Sequence, residues 1–295
     1  MSTSNRVNLR FTQGVMIMYC ILRKKMKKEK REQEGIMHVY FRANGRYTVF
    51  YDDEDNLELL RRMNKFAGVY DSKIMDFALM INHAHFLLRT ECVTTLMREV
   101  LKNYSRWYNR KYKNSNKVFH TPFSSACKRS EEWVLESCAY IMQNPVKARL
   151  CARAEEYRWS SAVLHFPGRN CRDKKEKRIS EVLGGAIDVD TSLVDSYFES
   201  YEEFLEYANL NPVMKSSVVG KDDKWERSTV ESLYAELKDI LDGRILNNLS
   251  KDEIKDVVVQ LYSRTHTRML YIASLLHIDY KYVRKLLADK YKTAE

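Results

Sequence analysis

The chain has 295 residues, 44% of them apolar and 31% charged, which excludes a disordered polypeptide and supplies enough apolar mass for a sizeable core. Only 9 Gly and 4 Pro argue against a loop-rich all-β protein and for a helix-rich one. Lys and Arg number 50 against 40 Asp and Glu, and the resulting net charge of +10 suits a protein that meets a polyanion such as nucleic acid.

Residues 1–34 read as a basic arm whose run RKKMKKEKR carries seven positive charges against one Glu. Its apolar stretch from Val15 to Leu22 has eight residues, far below the roughly 20 of a spanning helix. The basic cluster follows that stretch instead of preceding it, the reverse of a signal peptide. Six cysteines without a C-x-x-C pair fit thiols in a reducing compartment. Together these features predict a cytoplasmic, nucleoid-associated protein with no membrane partner.

Gly35 to Ala43, rich in β-branched and aromatic residues, predicts a strand, and Asn44-Gly45 a turn. Acids from Asp52 onward, then Leu57, Leu60, Met63, Phe66 and Ala67, predict a helix over 52–70. Lys73 to Ile81 and His83 to Arg89 read as two short strands of one sheet meeting at Asn82. Helical spacing resumes over 94–112 through Leu96, Val100, Leu101, Tyr104 and Tyr108. Ser130 is an N-cap ahead of Glu131 and Glu132, opening a helix that Pro145 is expected to stop. Between Glu181 and Glu206 stand eight acids and no Lys or Arg, and this reversal of charge after the connector 169–178 suggests a domain boundary near 170–180.

The pattern from Ser228 onward is helical. IASLLHIDYKYVRKLL has the format of a helix-turn-helix: Ala273 where two helices pack closely, His277-Ile278-Asp279 as the turn, and Tyr280 to Leu287 as the second helix. Plain helical packing is the other reading of that segment. The expected division is a basic arm at 1–34, a domain at 35–170, a charged linker with an acidic helical segment at 171–227, and a helical domain at 228–295. Met26 and Met37 are further candidate starts.

His83-Ala84-His85 is the sharpest local feature. On a strand, positions i and i+2 share a face, so both imidazoles emerge together while Ala84 points into whatever lies behind the sheet. Two histidines alone are also compatible with ordinary hydrogen-bonded surface residues, and a catalytic divalent ion needs a third ligand. On the helix that Ser130 opens, Val134, Cys138, Ile141 and Met142 share one side, leaving Trp133, Glu136, Ser137 and Tyr140 around the other, which predicts an accessible Tyr140. Asn144 lies one turn beyond Tyr140, and its amide oxygen suits a hard cation. A tyrosine becomes a nucleophile only towards a polarised electrophile, and Tyr104, Tyr108 and Tyr112 rival Tyr140 for that role.

Those rivals sit on the most basic stretch, which holds nine Lys or Arg and a single Glu from Arg98 to Arg129. Arg98, Lys102, Arg106 and Arg110 recur every four residues as a slowly drifting stripe. With Lys111, Lys128 and Arg129 they can neutralise phosphates, while Tyr104, Trp107 and Tyr108 offer ring faces to unpaired bases. A solvated helix face over core aromatics is the competing reading.

Three blocks in order, HVYFRANGRYTVFYDDEDN (38–56), MINHAHFLLRT (80–90) and YIMQNPVKARL (140–150) followed by YRWSSA (157–162), resemble the single-tyrosine HUH transposases. The branch they are most similar to is the REP-associated tyrosine transposases of the IS200-like group. The resemblance implies an α+β, ferredoxin-like domain with a central antiparallel sheet flanked by helices, here followed by a mostly helical C-terminal region. It implies Tyr140 as nucleophile and His83, His85 and Asn144 as ligands of Mg²⁺ or Mn²⁺. The implied reaction is cleavage and transfer of single-stranded, hairpin-containing DNA through a 5′-phosphotyrosine, the chemistry of transposition and recombination. A non-catalytic DNA-binding regulator on the same scaffold is the alternative, and an RNA-processing factor a weaker one. Oligomerisation is left open.

Overall fold

The computed structural model describes residues 31–171, 174–210 and 230–292. The apolar stretch of the arm and its basic run up to Lys30 therefore lie outside the described residues. From Gln33 onward the described residues cluster as one compact unit.

Strand β1 (Gly35–Arg42) leads through a 3₁₀ turn at Asn44–Arg46 into helix α1 (Asp53–Val69). Gly45 takes φ 65° in that turn, a conformation that costs Gly little. Asp52 caps α1 by accepting from the Asp55 amide, and the Asp55 carboxylate accepts in turn from the Asp52 amide. Strands β2 (Lys73–Leu79) and β3 (His83–Thr90) follow, then helix α2 (Val93–Lys111), strand β4 (Ser124–Lys128) and helix α3 (Glu131–Lys147).

The strands form one antiparallel sheet in the order β2-β3-β1-β4. A βαββαβ chain order in this arrangement is the ferredoxin-like topology, and the expected α+β class holds.

Strand alternation sorts the two faces. Met37, Val39 and Phe41 of β1 and Ala84, Phe86 and Leu88 of β3 join Leu59, Leu60 and Met63 of α1 and Leu96, Val100, Tyr104 and Tyr108 of α2 in one core. On the other face, Leu87 packs with Val134, Cys138, Ile141 and Met142 of α3. His38, Tyr40, His83 and His85 alternate with the first set and so look towards α3. Ala84 is fully buried behind them, as its alternation predicts.

Helix α4 (Lys174–Gly184) and the short α5 (Ser192–Asp195) come next, and α6 (Tyr201–Asn209) packs beside α3. The C-terminal helices are α7 (Val230–Leu241), α8 (Lys251–Thr265), α9 (Met269–Leu276) and α10 (Tyr280–Lys292).

Two expectations are corrected. Pro145 does not stop α3: it lies buried inside the last turn, and Ala148 N–H still donates to Asn144 O at 3.0 Å. So near the C-terminus, a missing proline N–H removes a single rung of the helix. Ser137, placed by its spacing away from the apolar side of the helix, is buried, its hydroxyl donating to Trp133 O at 2.7 Å. That back-bond satisfies the hydroxyl within its own helix and lets it pack against the sheet.

Candidate active site

A cleft of about 600 Å³ opens between the sheet and α3, and His38, Tyr40, His83, His85, Lys128, Glu136, Tyr140 and Asn144 line it. The structure therefore brings together all four residues singled out for chemistry, from two elements far apart in sequence. Ser130 starts α3 by accepting from Trp133 N–H at 3.3 Å, and continuity through Pro145 keeps Asn144 one turn beyond Tyr140.

Tyr140 is 45% exposed, and its ring centroid is 5.5 Å from those of both His38 and His85. The Lys147 ammonium packs 5.0 Å from the centre of the tyrosine ring. Asn144 Nδ2 donates to Tyr140 O at 2.7 Å, which leaves the amide oxygen as its outward acceptor.

The imidazoles are neutral at pH 7. Burial, with the nearby Arg42 charge, lowers His83 to about 4. Burial, with His38 and His83 beside it, lowers His85 to about 3. His38 falls to about 4 through burial and the Lys128 charge. Neutral imidazole is the form that offers a lone pair to a cation.

The hydrogen bonds to each ring decide which nitrogen is available. His83 Nδ1 donates to Asn82 Oδ1 at 2.8 Å, so Nε2 carries its lone pair. His85 Nδ1 lies 3.0 Å from His38 Nε2, and one proton serves that contact. With the proton on His85 Nδ1, its Nε2 likewise carries a lone pair. Two imidazole nitrogens and an amide oxygen are a donor set that fits Mg²⁺ or Mn²⁺ with room left for phosphate oxygens.

His38 is a cleft residue that sequence reasoning missed. The signal was its i, i+2 relation to Tyr40, but only the β1–β3 register, with His38 opposite Leu87 and Tyr40 opposite His85, brings it diagonally to the histidine pair. Glu136 and Lys128 add one charge of each sign to the rim.

The rival tyrosines are excluded by position. Tyr104 and Tyr108 are 0% and 2% exposed in the core on the opposite face of the sheet. Tyr112 donates to Asp55 Oδ2 at 2.8 Å. The expectation that Tyr104 and Tyr108 present ring faces to bases is corrected for the same reason: their apolar bulk fills the core. Trp107 is half-buried, with the Arg62 guanidinium 5.7 Å and the Lys111 ammonium 5.1 Å from its ring centre.

The cationic stripe itself stands out on α2, with Arg98, Lys102, Arg106 and Arg110 exposed. It lies on the helix layer across the sheet from the cleft. Lys111 belongs elsewhere: its ammonium is 2.8 Å from Asp52, 2.9 Å from Glu54 and 2.9 Å from Asp55. These acids come from the start of α1, a salt bridge that the local scarcity of acids on α2 concealed. Lys128 lines the cleft and Arg129 is exposed beside it.

A second cluster, unexpected from the sequence, lies behind the cleft. Among the described residues, Asp76, Cys138 and His165 are the group of three whose metal-ligating atoms all fall within 4.8 Å of one another. His165 is fully buried, with Nδ1 2.6 Å from Asp195 Oδ1 and Nε2 3.3 Å from Asp76 Oδ1. Burial alone would lower its pKa, but Asp76 and Asp195 outweigh that and raise it to about 9. An imidazolium between two carboxylates therefore joins β2 to the segment after α3, and Ser161 Oγ donates to the same Asp76 oxygen. Burial and the Asp76 charge push the Cys138 thiol up, so it is no thiolate.

Residues 32–143 match the sequence model of the family described as Transposase IS200 like. This bears out the family resemblance drawn from the motif blocks, and the matched stretch contains both histidines and Tyr140. A solved structure of a REP-associated tyrosine transposase bound to a REP hairpin is similar over 50% of this chain and 93% of that one, with 15% identity and a TM-score of 0.41. No curated protein matches the chain. Among the described residues, no helix is long and apolar enough to cross a membrane.

Proposed function

We propose that the chain is a metal-dependent endonuclease and strand transferase for single-stranded, hairpin-containing DNA, with Tyr140 as its nucleophile. The observation that carries this reading is the exposed phenol of Tyr140 facing paired neutral imidazoles across one cleft. The family match over the same residues and the similarity of the motif blocks support it.

His83, His85 and Asn144 would hold Mg²⁺ or Mn²⁺, which when bound polarises the scissile phosphate and offsets its charge. Tyr140 Oη forms a bond to phosphorus as the phosphorus–O3′ bond breaks. The phenol proton passes to the water that its exposure admits, and the departing O3′ keeps the electron pair and is protonated to a 3′-OH. The DNA 5′ end is then a phosphotyrosine. Attack by a second 3′-OH reverses the step, releasing the phenol and resealing a strand. Lys147 over the ring and the rigid α3 backbone hold the phenol in place.

The positive stripe on α2, with Lys128 and Arg129 nearer the cleft, supplies phosphate contacts that give no sequence preference. Labelled single-stranded hairpin DNA incubated with Mn²⁺ tests the reading. Wild type is expected to form a covalent adduct, and Tyr140→Phe to lose it. Salt-sensitive binding without any adduct would instead mark a non-catalytic DNA-binding regulator.

A further inference from the structure

We propose that α9 and α10 form a helix-turn-helix that seats α10 in the major groove of duplex DNA, a partner separate from the single strand assigned to the tyrosine cleft. An eight-residue helix, a turn at 277–279 and a 13-residue helix give the unit its format. The turn requires a left-handed residue, and His277 adopts φ 56° there, its N–H donating to Ala273 O. Ile278 N–H donates to the same carbonyl at 3.0 Å.

The non-glycine residue at that position is held by partners outside the unit. His277 Nε2 lies 2.7 Å from Thr48 O and 2.6 Å from Tyr51 Oη. Thr48 N–H also donates to Ser274 O at 3.1 Å, and Tyr51 Oη donates to Leu275 O at 3.0 Å. These bonds tie α9 to the segment between β1 and α1, so α10 is presented on a fixed support.

One side of α10 is core: Val283 and Leu287 are buried with Ile272, Ala273, Leu275 and Leu276 of α9 and Val257, Val258 and Leu261 of α8. The other side is exposed and cationic. At 100° per residue, Lys281, Arg284 and Lys285 span an arc of about 100° centred about 130° from the side of Val283 and Leu287, with the exposed Tyr280 at its edge next to Leu287. No acid occurs from Tyr280 to Ala288. Asp279 starts this helix, its Oδ1 accepting the Lys281 and Tyr282 amides at 2.8 and 3.2 Å. A rigid, positive helix face with hydrogen-bonding side chains in its first two turns fits the major groove, which admits one helix between phosphate walls.

The test uses the full chain and fluorescence anisotropy with a 30-base-pair random-sequence DNA duplex at about 100 mM salt. Simultaneous Lys281→Ala, Arg284→Ala and Lys285→Ala substitutions are expected to weaken duplex binding at least about tenfold and flatten its salt dependence. Mn²⁺-dependent adduct formation on a single-stranded hairpin should stay within about twofold of wild type, since no cleft residue changes. Duplex affinity is read separately from adduct formation, so an inactive tyrosine site leaves this result interpretable. If the triple variant melts early, Arg284→Gln alone carries the test, with an expected loss of about three- to tenfold. Unchanged duplex affinity, as a protein-docking face would give, overturns the proposal. Equal binding of a matched RNA duplex, whose major groove is too narrow for a helix, overturns it as well.

Discussion

Helices α2 and α3 cover opposite faces of one four-stranded sheet, and both carry tyrosines, yet the two sets have opposite fates. On α2, Tyr104 and Tyr108 are sealed into the larger core with Phe50 and Phe119 around them. On α3, Tyr140 is 45% exposed above a patch of neutral imidazoles. The α2 face is filled by large side chains from β1 and β3, which hold the strands flat against the helices. The α3 face carries His38, Tyr40, His83 and His85 at the alternate positions, and α3 cannot close over so polar a patch. One sheet thus divides its residues by parity, with a packed core on one side and an open, polar cleft on the other.

Substitution on the two helices should separate those roles. Tyr104→Ala is expected to cost about 3–5 kcal/mol of stability in urea melts through the cavity it leaves. Its adduct yield per folded molecule should change little. Tyr140→Phe should show the reverse pattern, with an unshifted melt and no adduct. Loss of the adduct in a folded Tyr104→Phe variant would erase the distinction between the faces.

His38 sharpens the comparison within the cleft. As the hydrogen-bond partner of His85, it would, in the proposed mechanism, orient that imidazole towards the metal without touching the substrate. His38→Ala is expected to raise the Mn²⁺ concentration needed for half-maximal adduct formation about 10- to 100-fold, with the yield restored at high Mn²⁺. A drop in maximal yield that no Mn²⁺ concentration restores would assign His38 another role.

The smallest expected effect is on pH dependence behind the cleft. The folded-state pKa of His165, about 9, lies above the ordinary 6.5 of an unfolded histidine. Its contribution is therefore complete below about pH 6.5 and is lost as pH rises through about 9. Thermal melts between pH 6 and 10 should show wild type falling more steeply than His165→Gln. Parallel curves would mean that the imidazole is neutral between Asp76 and Asp195.

Much of this arrangement was legible in the residues. The helices at 53–69 and 93–111 followed from apolar spacing, Ser130 marked the start of α3, and the H-x-H alternation put both imidazoles on one face with Ala84 behind. What escaped were relations between distant segments. Local spacing cannot specify strand register, so His38 gained no role until β1 was paired with β3. Lys111 looked free because its acids lie on another helix, and the depth of Tyr104 and Tyr108 depended on how tightly the sheet packs under α2. Proline's usual effect misled at Pro145 because so little helix remained to be broken.

The most direct measurement is peptide mapping of the protein–DNA adduct. After Mn²⁺-dependent reaction with single-stranded hairpin DNA and exhaustive protease and nuclease digestion, mass spectrometry should place a nucleotide, linked through its 5′-phosphate, on the peptide containing Tyr140. A nucleotide on Tyr104, Tyr108 or Tyr112, or a 3′-phosphate linkage, would contradict the assignment.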